Sequence, residues 1–157
     1  MSLAKTVFKS PVHLLAFGFG SGLAPFAPGS FGTLAAIPFY WILSLLPVWF
    51  YLAVVLVAAI AGIWICGESA KRLGIHDHSG IVWDEFVGFW ITMIAAPSGL
   101  IWILVGFVLF RIFDIWKPWP IYIVDDKVHG GFGIMLDDVI AGAYAFMIMQ
   151  VLALFFG

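Results

Sequence analysis

Carboxylates, an arginine and a lysine recur at short spacings along a chain that is otherwise close to hydrocarbon. Trp83-Asp84-Glu85-Phe86 sets two acids side by side; Arg111, Asp114 and Lys117 follow at intervals of three; Asp125, His129 and Asp137-Asp138 complete the set. Phe110–Asp138 holds eight of the sixteen Asp, Glu, Lys and Arg residues, and nothing charged lies between Glu85 and Arg111 or after Asp138. Charge in so apolar a setting costs several kcal/mol per group unless it is paired or wet, which marks these residues as a functional site. Hard oxygen ligands suit Mg²⁺, which takes one or two carboxylates together with waters and substrate phosphate. Asp84, Glu85, Asp114, Asp137 and Asp138 are the candidate metal ligands. Arg111 offers a planar fork for phosphate oxygens and Lys117 a point charge. The chemistry this set would serve is metal-assisted hydrolysis of a phosphomonoester. A metal-bound water attacks phosphorus in line, and the two cations neutralise charge on the equatorial oxygens. Asp84, Glu85, Asp114 and Asp138 are the candidate catalytic acids; a carboxylate nucleophile, with Asp114 the candidate, is the other route.

Each group also has a plainer reading. Acids in a first helical turn favour the helix dipole, which would account for Asp84-Glu85 and for Asp137-Asp138 as a cap before the last span. Adjacent helical residues point about 100° apart, so only one of Asp84 and Glu85 is expected at the shared site. Arg111 and Asp114 have the spacing of a structural ion pair, and Pro118 ends the helix at Lys117. His129 is either a proton donor to a leaving group or a solvated loop histidine. Gly29, Ser30, Gly32 and Thr33, leading into an apolar span, fit a phosphate-binding loop of backbone N–H groups or an ordinary Pro-Gly turn with a hydroxyl cap. Gly18, Gly20 and Gly22 have the spacing of close helix packing. His76 and His78 flank Asp77 in a polar loop open to metal binding, and Glu68 with Arg72 reads as a helix pair. Cys66 and Arg72 match a Cys-x5-Arg phosphatase spacing. The intervening residues read as helix, however, and Glu68 would repel phosphate. Trp116 and Trp119 read as interface anchors.

The elements carrying these residues follow from composition. The chain is 157 residues, 64% hydrophobic and 10% charged, with a mean hydropathy of +1.11. Soluble domains carry about 45–50% apolar residues and about 25% charge, so an all-α integral membrane bundle in a single domain, residues 1–157, is expected. A net charge of −2 with no basic block speaks against nucleic acid, and the lone Cys66 excludes an internal disulfide. Five apolar spans are predicted, Phe31–Leu46, Val48–Cys66 (running on to Leu73), Ile81–Ala96, Leu100–Ile115 and Ile134–Phe156, with Val12–Ala27 interfacial or re-entrant. The N-terminal segment, with Lys5 and Lys9, lacks a small-residue cleavage site and is expected to be retained. Threading the spans alternately brings every Lys, Arg, Asp and Glu to one side, which the positive-inside rule makes cytoplasmic.

Four ordered motifs are similar to those of the bacterial phosphatidylglycerophosphatase A family: GFGSGLAPFAPGSFGTLAAIP (Gly18–Pro38), VWDEFVGFW (Val82–Trp90), FRIFDIWKPWPI (Phe110–Ile121) and HGGFGIMLDD (His129–Asp138). The resemblance covers nearly the whole chain. It implies Mg²⁺-dependent removal of phosphate from phosphatidylglycerophosphate, a phospholipid substrate, at the cytoplasmic (inner) membrane of a bacterium. The family's motif positions fall on Asp84, Glu85, Arg111, Asp114, Lys117, Asp125, Asp137 and Asp138. Two rivals remain at this stage. One is a small cation transporter or channel using the same carboxylates; the other is a lipid-binding or structural membrane subunit that would tolerate Asp84→Asn.

Overall fold

The computed structural model describes residues 2–75 and 78–157, and every regular element among them is helical. The order is α1 (Leu3–Lys9), α2 (Pro11–Ala16), a single 3-10 turn (Ser21–Leu23), α3 (Pro28–Ser44), α4 (Val48–Leu73), α5 (Trp83–Thr92), α6 (Leu100–Trp116), α7 (Ile121–Lys127) and α8 (Gly130–Phe156). Local chemistry sets the ends. Pro28 opens α3 at a position where a missing N–H costs nothing. Gly74 closes α4 in the left-handed region, at φ 69°. Pro118 bars Lys117 from right-handed helix, so α6 stops at Trp116 and Lys117 takes φ 52°, ψ 60°.

Helix α8 is the hub, packing on α4, α5, α6 and α7. Helix α5 is the enclosed element: it packs on α3, α4, α6 and α8, and every residue from Asp84 through Trp90 is buried. Two glycines make the α5–α8 contact possible, because a Cβ on Gly142 would stand 2.6 Å from the Gly88 carbonyl oxygen. Gly131 brings α8 onto α4 in the same way, with a hypothetical Cβ 1.8 Å from the Ile63 carbonyl oxygen. Small residues that let backbones approach are the usual device where lipid removes the hydrophobic drive for helix association. The far end of α5 is tied off inside the bundle. Tyr51 donates its hydroxyl to the Trp90 carbonyl at 2.6 Å, and Gln150 donates its amide to the Ile94 carbonyl at 3.0 Å.

Among the described residues two helices, not the five expected, are long and apolar enough to cross a membrane, Val48–Leu73 and Gly130–Phe156. Both turn large apolar side chains outward, Trp49, Phe50, Leu56, Trp64, Leu154 and Phe155 among them. Helices α3 and α6 have 17 residues each, about 25 Å of rise. The third predicted span, Ile81–Ala96, contains only the ten residues of α5, about 15 Å. Hydropathy measures apolarity, and it does not distinguish a side chain facing lipid from one facing the bundle interior. Helix α5 is apolar because other helices surround it.

Candidate functional site

The charged residues of α5, α6 and α8 meet at the end of the bundle where α3 begins, around a cleft of about 410 Å³. Helix α5 presents Asp84 and Glu85 from its first turn, and α8 presents Asp137 and Asp138. Because α8 starts at Gly130 rather than at the predicted Ile134, these aspartates lie in its third turn, about 12 Å from its start. The capping explanation for them therefore falls away. One carboxylate oxygen each from Asp84, Glu85 and Asp138 lies within 4.8 Å of the others, and all three residues are buried. Both acids of the 84–85 pair reach the common point, contrary to the expectation from their 100° separation. Glutamate's extra methylene lets the second carboxylate swing back across the turn.

Helix α6 supplies the positive side. Arg111 Nη1 donates to Glu85 Oε2 at 3.1 Å and, in a short contact, to Asp114 Oδ2. Arg111 thus bridges α5 and α6, while its Nε is buried with no partner among the described residues. Lys117, turned back by its left-handed backbone, donates to Asp137 Oδ2 at 3.3 Å and lies 3.8 Å from Asp114 Oδ1 and 3.9 Å from Asp125 Oδ1. Burial works against the Lys117 ammonium, but Asp137, Asp114, Asp138 and Asp125 outweigh it and raise its pKa above the ordinary lysine value. The ammonium therefore stays charged at neutral pH. Asp114 also lies within hydrogen-bonding reach of Glu85 and Asp138.

Five buried carboxylates face two cations here. Among the described residues, Asp138, 1% exposed, has no partner for Oδ2, and Asp137 Oδ1 is likewise buried without one. Buried acceptors left open in this way are costly, and a divalent cation and its ligands would satisfy them. The donor set is all oxygen, which fits Mg²⁺; Asp84, Glu85 and Asp138 are the residues that could hold it. The orphan Arg111 Nε–H is a donor of the kind a phosphate oxygen accepts from.

The remaining predicted residues separate into those at the cleft and those away from it. Gly29 lines it, and a Cβ there would stand 3.0 Å from Arg111 Nη1 and 3.2 Å from Glu85 Oε1. Ser30, Gly32 and Thr33 do not line it. The Ser30 and Phe31 amides both go to the Ala27 carbonyl, and the Thr33 hydroxyl, fully buried, donates to the Gly29 carbonyl at 2.8 Å. Gly32 faces Val82, where a Cβ would be 2.6 Å away. The stretch is the first turn of α3, so the glycines serve helix contacts rather than a row of amide donors. Asp125 is exposed and, among the described residues, touches the site through Lys117, and His129 is the exposed N-cap residue of α8. His78 and Ser79 also line the cleft and stand outside the predicted set. The sequence signal for them is the polar His-Asp-His run just before Val82. Its His76 and Asp77 lie outside the described residues.

A family model described as phosphatidylglycerophosphatase A matches residues 14–153. The chain is 52% identical over 143 residues to phosphatidylglycerophosphatase A of Escherichia coli, covering 89% of this chain and 83% of that protein. It is 48% identical over 149 residues to phosphatidylglycerophosphatase A of Haemophilus influenzae, covering 94% of this chain and 91% of that protein. No solved structure matches.

Proposed function

The chain belongs to the phosphatidylglycerophosphatase A family, and from that premise we propose that it hydrolyses the terminal phosphomonoester of phosphatidylglycerophosphate to phosphatidylglycerol and phosphate. On this reading it is a multi-pass protein of the bacterial inner membrane, it uses Mg²⁺, and its site faces the cytoplasm. One observation carries the chemistry: oxygens of Asp84, Glu85 and Asp138 converge within 4.8 Å beside the cations of Arg111 and Lys117.

Asp84, Glu85 and Asp138 would hold the metal, which when bound supplies Lewis acidity and an activated water. The protein's own groups do the rest. Arg111 gives its orphan Nε–H to a phosphoryl oxygen while Glu85 and Asp114 fix the guanidinium from the other side. Lys117, clamped by Asp137, offers a second positive charge to the equatorial oxygens. Water attacks phosphorus and gives up a proton, the P–O bond to the glycerol breaks, and the departing glycerol oxygen takes up a proton in its place, leaving phosphatidylglycerol and phosphate. Gly29 keeps the near wall low enough for the phosphoryl group to approach.

The outward apolar faces of α4 and α8 support membrane embedding, since a soluble core helix buries such residues. With α4 and α8 spanning, the Lys and Arg residues gather at one end, which by the positive-inside rule faces the cytoplasm. A cation path across the bilayer has no comparable support: α8 carries no charge beyond Asp138, and the far end of α5 is plugged. The test is phosphate release from phosphatidylglycerophosphate by purified protein, with EDTA and after Mg²⁺ is restored. Release that is absent, or indifferent to EDTA, defeats the reading.

A further inference from the structure

We propose that His78 is a further catalytic residue of this cleft, a neutral hydrogen-bond donor that contacts a phosphoryl oxygen through Nε2; the inference rests on the function proposed above. His78 lines the same cavity as Asp84, Glu85 and Arg111. The Gly80 amide donates to His78 Nδ1 at 2.9 Å. A ring nitrogen that accepts carries no proton, so the imidazole proton is on Nε2 and the ring is neutral. A second proton on Nδ1 would set two N–H groups against each other. The ring is thus a donor at one end, and it is not built to give that proton away.

Its position is built in from the N-terminal segment. The fully buried Phe17 ring lies 5.4 Å from the His78 ring, centroid to centroid. The Val82 amide donates to the Ala16 carbonyl at 2.7 Å and the Ile81 amide to the His78 carbonyl at 3.0 Å. Gly22 abuts the turn so closely that a Cβ on it would stand 1.9 Å from the Gly80 carbonyl oxygen. The glycine-rich stretch after α2 therefore has a task in the site: it holds the 78–82 turn, and with it the donor, before substrate arrives. Donors fixed in advance stabilise developing charge without reorganisation at the moment of reaction. No bond to His78 forms or breaks, and its proton stays on Nε2 throughout.

The test is steady-state turnover of phosphatidylglycerophosphate by the full chain in detergent with Mg²⁺, for wild type, His78→Ala, His78→Gln and His78→Asn, across the acid to neutral range. Removing one preorganised donor lowers kcat by about 100-fold, the expectation for His78→Ala. His78→Gln places an amide N–H at similar reach and recovers about 10-fold of that loss. His78→Asn keeps an acceptor for the Gly80 amide but is too short to reach substrate, so it melts like wild type and turns over like alanine. The acid limb of the pH profile is the same in wild type and His78→Gln. Wild-type turnover in His78→Ala or His78→Asn overturns the inference. So does an acid limb that disappears with the imidazole, or a glutamine variant no better than a well-folded asparagine variant. Wild-type protein that releases no phosphate defeats the function itself, whereas active wild type with unaffected His78 variants defeats only the role given to His78.

Discussion

Asp138→Asn separates a metal-loaded acidic site from a merely structural one. Asp138 is 1% exposed, and one of its oxygens lies within 4.8 Å of oxygens on Asp84 and Glu85. At that separation two like charges repel by about 3.5 kcal/mol in an effective dielectric of 20. Arg111 and Lys117 offset part of this, leaving roughly 1–2 kcal/mol to be relieved when one charge is removed without changing shape. At 2–4 °C per kcal/mol for a chain of this size, Asp138→Asn in EDTA should melt about 2–8 °C above wild type. Mg²⁺ should reverse the order. A ligand at 100 times its Kd adds about 2.7 kcal/mol to the state that binds it, and wild type has the full ligand set. The assay is thermal unfolding in one detergent with EDTA and across a Mg²⁺ titration, beside phosphate release. An asparagine variant that melts below wild type in EDTA, or that keeps the full Mg²⁺-induced rise, refutes the reasoning.

Four further outcomes follow from the structure. Gly29→Ala should hold or raise the melting temperature, since alanine favours the first turn of α3 by up to about 1 kcal/mol. Its Cβ, 3.0 Å from Arg111 Nη1, displaces the guanidinium by a few tenths of an ångström and should cost about 10-fold in kcat/KM. Gly74→Ala, at φ 69° in open space, should show the reverse, about 1 kcal/mol less stable with kcat/KM unchanged. Lys117→Met leaves Asp137 without its cation and Asp114 with Arg111 alone; with Lys117 29% exposed, the loss should be about 2 kcal/mol in melting assays, together with most of the turnover. His13 is buried against Ser69, its Nδ1 2.7 Å from the hydroxyl oxygen, and burial with the charge of Arg72 lowers its pKa. The unfolded chain then binds the proton more readily, so His13 costs stability as pH falls below about 6.5. His13→Gln should melt with a shallower acid slope than wild type, and an identical slope would show that His13 plays no part in it.

Much of the site was legible because charge is scarce. Asp84, Glu85, Arg111, Asp114, Lys117, Asp137 and Asp138 stand out against hydrocarbon, and the structure draws them to one cleft. Breaks at Pro47, Gly99 and Pro118 were legible for the same reason, as residues with few allowed conformations. Glycine misled. Gly131 and Gly133 fall before the predicted last span at Ile134, yet they lie inside α8, where they let it approach Ile63 and Val128, and this moved Asp137 and Asp138 away from the helix start. Gly29 and Gly32 read as a phosphate loop for the same reason. A glycine needed for close approach looks in sequence like one needed for a bend. The shortness of α5 was hidden because interior and lipid-facing residues are equally apolar. His78 was legible only as a loop histidine open to metal binding; the donor role proposed for it rests on Gly80 and Phe17, contacts that no spacing reveals.

The way α5 ends within the bundle has its own outcome. Trp90 and Ile94 are tied by Tyr51 and Gln150, and Phe86, Phe89 and Phe110 are fully buried, so the described residues pack the bundle solidly away from the charged cleft. On the proposed function, liberated phosphate and an incoming lipid headgroup would both draw on Arg111 and Lys117 and so compete for them.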